Sequence, residues 1–172
     1  MSSRASDNIQ WAGRPLNWLP RSLLEPSNPY AAIGIGWLFT FPVSIALAGV
    51  FHIIAPNAQG PEFPVTGPLA VFLLVVFSPV LETLLMAGAL ALLLRFMPAR
   101  WAVLASAVGW GAAHSLAAPV WGLIIWWPFL IFSTLFVTWR QRSLGLALAV
   151  PMITHALQNL PSAILIAAGV RF

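Results

Sequence analysis

The chain has 172 residues, 60% of them hydrophobic and only 7% charged, with a mean hydropathy of +0.89. A soluble domain carries roughly 25% charged residues, so the composition excludes that class and indicates a polytopic membrane protein. The absence of cysteine excludes disulfides, thiol catalysis and thiolate metal sites. The net charge of +4 comes from eight arginines, with no lysine, set against four acidic residues. The arginines are spread along the chain, which reads as a topology signal rather than a nucleic-acid surface.

Residues 1–31 are polar and broken by Pro15, Pro20, Pro26 and Pro29, without the apolar core of a signal peptide. Trp11, Leu16, Trp18 and Leu19 alternate with Arg14 and Arg21, a composition suited to an arm lying among lipid headgroups. Residues 32–172 are expected to form an all-α transmembrane helical bundle of about five spans. The first span covers about residues 32–54, kinked at Pro42, with His52 at its interfacial end. Residues 55–68 carry prolines, glycines and polar residues and read as a loop. The second span covers about 69–96, and Pro79 is expected to free the carbonyl of Val75 beside Glu82.

The third span covers about residues 101–117, and Gly109, Gly111, Ala112 and Ala113 offer a small-residue surface for close helix packing. The fourth, about 120–139, is aromatic and holds no ionisable group, so packing is its expected role. The fifth, about 144–170, contains Pro151 and Pro161, where breaks are expected. Of the loops between these spans, one set holds Arg4, Arg14, Arg21, Arg95, Arg100, Arg140 and Arg142, and the other only Arg171. The positive-inside rule then puts the N-terminus in the cytoplasm of a cell-membrane protein.

Glu82 is the one acidic residue inside a long apolar segment; Asp7, Glu25 and Glu62 lie elsewhere. A charge at the bilayer centre costs about 2.5–3.5 kcal/mol on insertion scales, so such a residue requires polar partners and marks a functional position. The strong polar candidates in later apolar segments are His114, His155 and Asn159. Glu82 is 13 residues from Arg95, His114 is 13 from Trp101, and His155 is 13 from Arg142. At 1.5 Å rise per residue, each lies about 20 Å from its cytoplasmic helix end. Asn159 follows His155 by four residues, on the same helix face. Each histidine alone suits a helix-to-helix hydrogen bond. The shared level of all three ionisable groups favours a common site.

These residues resemble the motifs of the CPBP intramembrane proteases, the group of the type II CAAX prenyl endopeptidase and bacteriocin-processing enzymes. Members show EExxxRG, then FxxxH, then HxxxN. The stretch from Pro79 to Gly88 is similar to the first, Trp110 to His114 to the second with Trp for Phe, and His155 to Asn159 matches the third. The resemblance covers about residues 69–165. It departs in the first motif, where Thr83 replaces the second glutamate and Ala87 the arginine.

The resemblance implies a metal-independent, cofactor-free endopeptidase acting on a membrane-anchored peptide or protein. In that reading Glu82 activates water, His114 orients it, and His155 and Asn159 donate to the oxyanion. A CAAX substrate does not follow from these residues. Three other readings stay open. A catalytically inactive relative that binds membrane partners is favoured by Thr83 and Ala87. A metal-dependent protease would use Glu82, His114 and His155 as ligands, although HExxH is absent. A haem held by His114 and His155 would leave Glu82 without a role.

Overall fold

A computed structural model describes residues 16–170. Trp11 and Arg14 of the expected arm, and Arg4 and Arg171 of the charge count, lie outside the described residues. Among the described residues there are six helices and no strand. They are α1 (Arg21–Leu24), α2 (Pro29–Ile54), α3 (Gly67–Leu93), α4 (Ala99–Ser115), α5 (Pro119–Trp139) and α6 (Leu144–Ala167). The all-α expectation is met.

The bundle is built around α5, which packs against each of the other helices. It is apolar on every side, and a helix of that kind has to be enclosed by other apolar surface. Its residues from Pro128 to Trp139 are all buried. The closest approach is between α4 and α5, at Gly111 and Gly122. A Cβ at Gly111 would meet Trp126 Cβ at 2.9 Å and the Gly122 carbonyl at 3.0 Å. One at Gly122 would run into the Gly111 carbonyl and Ser115. The small-residue surface expected from Gly109 to Ala113 thus narrows to Gly111. Consecutive helical residues point in different directions, and a Cβ at Gly109 would meet nothing.

Helices α2, α3 and α5 are long and apolar enough to cross a membrane. The expected count of about five includes two helices that fall short of this measure. α4 has 17 residues, about 25 Å of rise against a hydrocarbon core of about 30 Å. α6 has 24 residues but carries His155, Gln158 and Asn159, which lower its hydropathy.

Local chemistry sets the helix ends. The Asn28 side chain accepts from Tyr30 N at 3.0 Å and Ala31 N at 3.2 Å, with Pro29 in the first helical position, so α2 starts earlier than expected. Ser143 caps α6 by accepting from Leu146 N at 3.1 Å. No break occurs at Pro151 or Pro161, and α6 is continuous through both. The Leu157 carbonyl, which loses its partner to Pro161, accepts from Trp37 Nε1 at 3.2 Å. Neighbouring helices can satisfy freed carbonyls in this way, which removes the penalty for an interior proline.

The described part of the N-terminal arm packs on the bundle. Leu16, Leu19 and Leu23 are buried, Thr138 Oγ1 donates to the Leu23 carbonyl at 2.8 Å, and Arg142 donates to the Pro26 carbonyl at 3.2 Å.

Candidate active site

The site begins with an irregularity in α3. Residues Leu73–Phe77 form a π-helical turn between α-helical segments Gly67–Phe72 and Ser78–Leu93. In this turn Ser78 N bonds the Leu73 carbonyl, five residues back. By the same register the Leu74 carbonyl would look to residue 79, which is proline and has no N–H. In this register Pro79 leaves the Leu74 carbonyl open. Asn159 Nδ2 on α6 fills it, donating at 3.0 Å. A wide turn, a proline and an amide from another helix thus join α3 to α6.

One turn further along α3, the Glu82 carboxylate meets both histidines. Its Oε2 is 3.9 Å from His114 Nε2 on α4 and 3.9 Å from His155 Nε2 on α6. Its Oε1 accepts a hydrogen bond from Ser78 Oγ. Three helices therefore bring one carboxylate oxygen to two imidazole nitrogens. These distances exceed a direct hydrogen bond, yet one water at about 2.8 Å from each partner can bridge such a gap. Glu82 is partly accessible, with 20% of its side chain exposed against 5% for His155.

The second nitrogen of each ring fixes its tautomer. His114 Nδ1 lies 2.9 Å from the Trp110 carbonyl, which only accepts, so neutral His114 carries its proton on Nδ1. Its Nε2 is then an acceptor. His155 Nδ1 is buried and has no hydrogen-bond partner among the described residues. A proton there would leave a buried N–H unpaired, which is rare, so the proton belongs on Nε2. The two rings thus stand beside the same oxygen with opposite hydrogen-bonding character: the His155 Nε2–H is a donor, and the bare His114 Nε2 can meet that oxygen only through a shared donor such as water.

Aromatic packing holds both rings. Phe132 stacks on His155 with centroids 4.7 Å apart, and Phe129 lies against both imidazoles at 5.6 Å from His114 and 5.5 Å from His155. Trp110 stacks on Phe129 at 4.4 Å, and Trp121 meets the His114 ring edge-on at 4.6 Å. Phe129 and Phe132 were not legible as site residues, because nothing in an apolar helix marks which phenylalanines face a histidine. Ser78 was missed as well, although its position four residues before Glu82 was a usable signal.

Asn159 is directed at the Leu74 carbonyl, which uses one of its two N–H groups. Thr83 is buried and Ala87 packs against the core, so the cluster holds a single carboxylate. A cavity of about 570 Å³ lies elsewhere, between the α2–α3 loop at Ala58 to Thr66 and the end of α6, and none of the four expected site residues lines it. Among the described residues no group of three or more carboxylate, imidazole or thiol side chains has the arrangement to hold a metal ion.

An apolar helical bundle with one carboxylate and two imidazoles gathered inside it is a membrane protein with a polar site among its helices. Residues 63–161 match the family model described as type II CAAX prenyl endopeptidase Rce1-like, and the chain belongs to that family. This makes it a member of a family of membrane proteases, in agreement with the motif resemblance, and its apolar helices fit a lipid bilayer. No curated protein and no solved structure matches the chain.

Proposed function

We propose that the chain is a glutamic-type intramembrane endopeptidase that hydrolyses a peptide bond of a membrane-associated substrate. One observation carries the reading: Glu82 Oε2 stands 3.9 Å from the Nε2 atoms of both His114 and His155, each on a different helix. A water in that gap donates one proton toward Glu82 and is oriented by the bare Nε2 of His114. Its oxygen attacks the scissile carbonyl while Glu82 takes the proton. The carbonyl π electrons move onto oxygen, where His155 Nε2–H and the free N–H of Asn159 donate to the oxyanion. Collapse of the tetrahedral intermediate breaks the C–N bond, and Glu82 returns the proton to the leaving amine. Atoms balance as peptide plus water giving acid plus amine.

The same reading places α4 and α6 across the membrane beside α2, α3 and α5, giving five spans. α6 then crosses with its polar residues turned to the site, as intramembrane polar groups do. The N-terminus is cytoplasmic on the arginine distribution, seven against one. Reporter fusions after Arg100 and Arg142 both report cytoplasm under this topology; an external signal at either overturns it.

A second reading, an inactive relative that binds membrane partners, is favoured by Thr83 and Ala87, which leave the cluster one carboxylate and no arginine. Cleavage of a membrane-anchored peptide by purified protein in detergent decides between them. The protease reading expects turnover that survives chelators, contains no stoichiometric metal and is abolished in Glu82→Gln. Turnover lost to chelation and restored by zinc overturns the mechanism. Failure of the wild type to cleave any protein of its own membrane turns the assignment to the inactive relative.

A further inference from the structure

We propose that Ser78 is a positioning residue for Glu82: its hydroxyl holds Oε1 so that Oε2 alone faces the two imidazoles. The proposal rests on the protease reading and extends it to a residue outside the three motifs.

A helical serine ordinarily turns its hydroxyl onto the carbonyl four residues back. For Ser78 that carbonyl belongs to Leu74, which accepts from Asn159 Nδ2 at 3.0 Å. The Ser78 hydroxyl donates instead to Glu82 Oε1, four residues ahead on the same helix face. With Ser78 on Oε1, Oε2 is left to His114 and His155 at 3.9 Å each.

A carboxylate has two equivalent oxygens and rotates about χ3 unless something distinguishes them. A single donor on Oε1 removes that freedom. A hydrogen bond to a charged group is worth about 1.5–3 kcal/mol, equivalent to roughly 10- to 150-fold in rate if it acts only in the chemical step. Ser78 does not touch substrate or water in this scheme; it acts through Glu82.

The test compares wild type, Ser78→Ala, Ser78→Thr and Glu82→Gln as full-length protein in detergent. Steady-state cleavage is expected to show kcat reduced at least about tenfold in Ser78→Ala with KM within about twofold, and most of the loss recovered in Ser78→Thr, which keeps the hydroxyl. Unchanged kcat in Ser78→Ala, or an equal loss in Ser78→Thr with its thermal unfolding unchanged, overturns the positioning role. It does so without touching the protease reading, which Glu82→Gln decides. Infrared difference spectra against Glu82→Gln isolate the Glu82 carboxyl band whether or not cleavage is seen. That band is expected to move in Ser78→Ala and to return in Ser78→Thr. A band at the same frequency in all three Glu82-containing proteins overturns the proposal even if the protein cleaves nothing.

Discussion

α3 and α5 are nearly equal in hydropathy, 2.3 and 2.0, yet occupy opposite places in the molecule. Only 22% of the α3 segment is buried inside the protein, against 61% of α5. α5 is enclosed by protein from Pro128 to Trp139 and carries no ionisable group, while α3 is largely peripheral and carries Glu82. The difference teaches that hydropathy reports an apolar surrounding without saying whether lipid or protein supplies it. It also shows how the two roles divide. The buried helix supplies Phe129 and Phe132, which pack on the imidazoles, and the peripheral helix brings the Glu82 carboxylate to those imidazoles. A hub that carried the carboxylate would have to enclose it completely. A peripheral helix without the hub would have nothing to hold the imidazoles against.

The largest expected effect lies on the peripheral side. Glu82→Gln keeps the shape and the Ser78 contact but cannot take a proton from water, so turnover is expected to fall to background while thermal unfolding changes little. Cleavage rates beside a melting curve check both halves. Retained cleavage removes α3 from the chemistry.

On the hub side, Phe129→Ala is expected to cost about 3–5 kcal/mol of stability. It deletes a ring lying against His114, His155, Trp110 and Phe132. Phe72→Ala on α3, a ring about half exposed, is the matched control and should cost under about 1 kcal/mol in detergent or lipid. Equal losses in the two variants would erase the distinction between hub and periphery.

Asn159→Ala probes the bond that joins the two sides. Losing one oxyanion donor typically lowers kcat by about 10²–10³. Here the Leu74 carbonyl loses its partner as well, so a fall in melting temperature should accompany the slower rate. A lower melting temperature with unchanged kcat would assign Asn159 to the helix joint alone.

The smallest effects come from glycines that look alike in sequence. Gly111→Ala puts a methyl 2.9 Å from Trp126 Cβ and is expected to destabilise by about 1–3 kcal/mol. Gly88→Ala on α3 meets nothing and is expected to be neutral or to stabilise by up to about 1 kcal/mol through helix propensity. Chemical denaturation of the two proteins side by side reads the difference, and the reverse order would contradict the α4–α5 crossing.

Some of this was decided by the sequence alone. The helical membrane class follows from apolar runs too long and too continuous for anything else. Glu82, His114 and His155 could be matched in depth, because rise per residue is constant along a helix whatever it packs against. Depth, however, is only one of the coordinates that bring side chains together. Rotation about each helix axis is normally read from an amphipathic face, and a helix between lipid and an apolar core has none. So only the tertiary structure decided that Phe129 lies against both imidazoles, that Gly111 rather than Gly109 makes the close crossing, and that Asn159 reaches Leu74. The π turn belongs to the same group. Its wider register is stable because α6 supplies a donor for the carbonyl that Pro79 leaves open, and residues 85 positions apart cannot signal that bond locally.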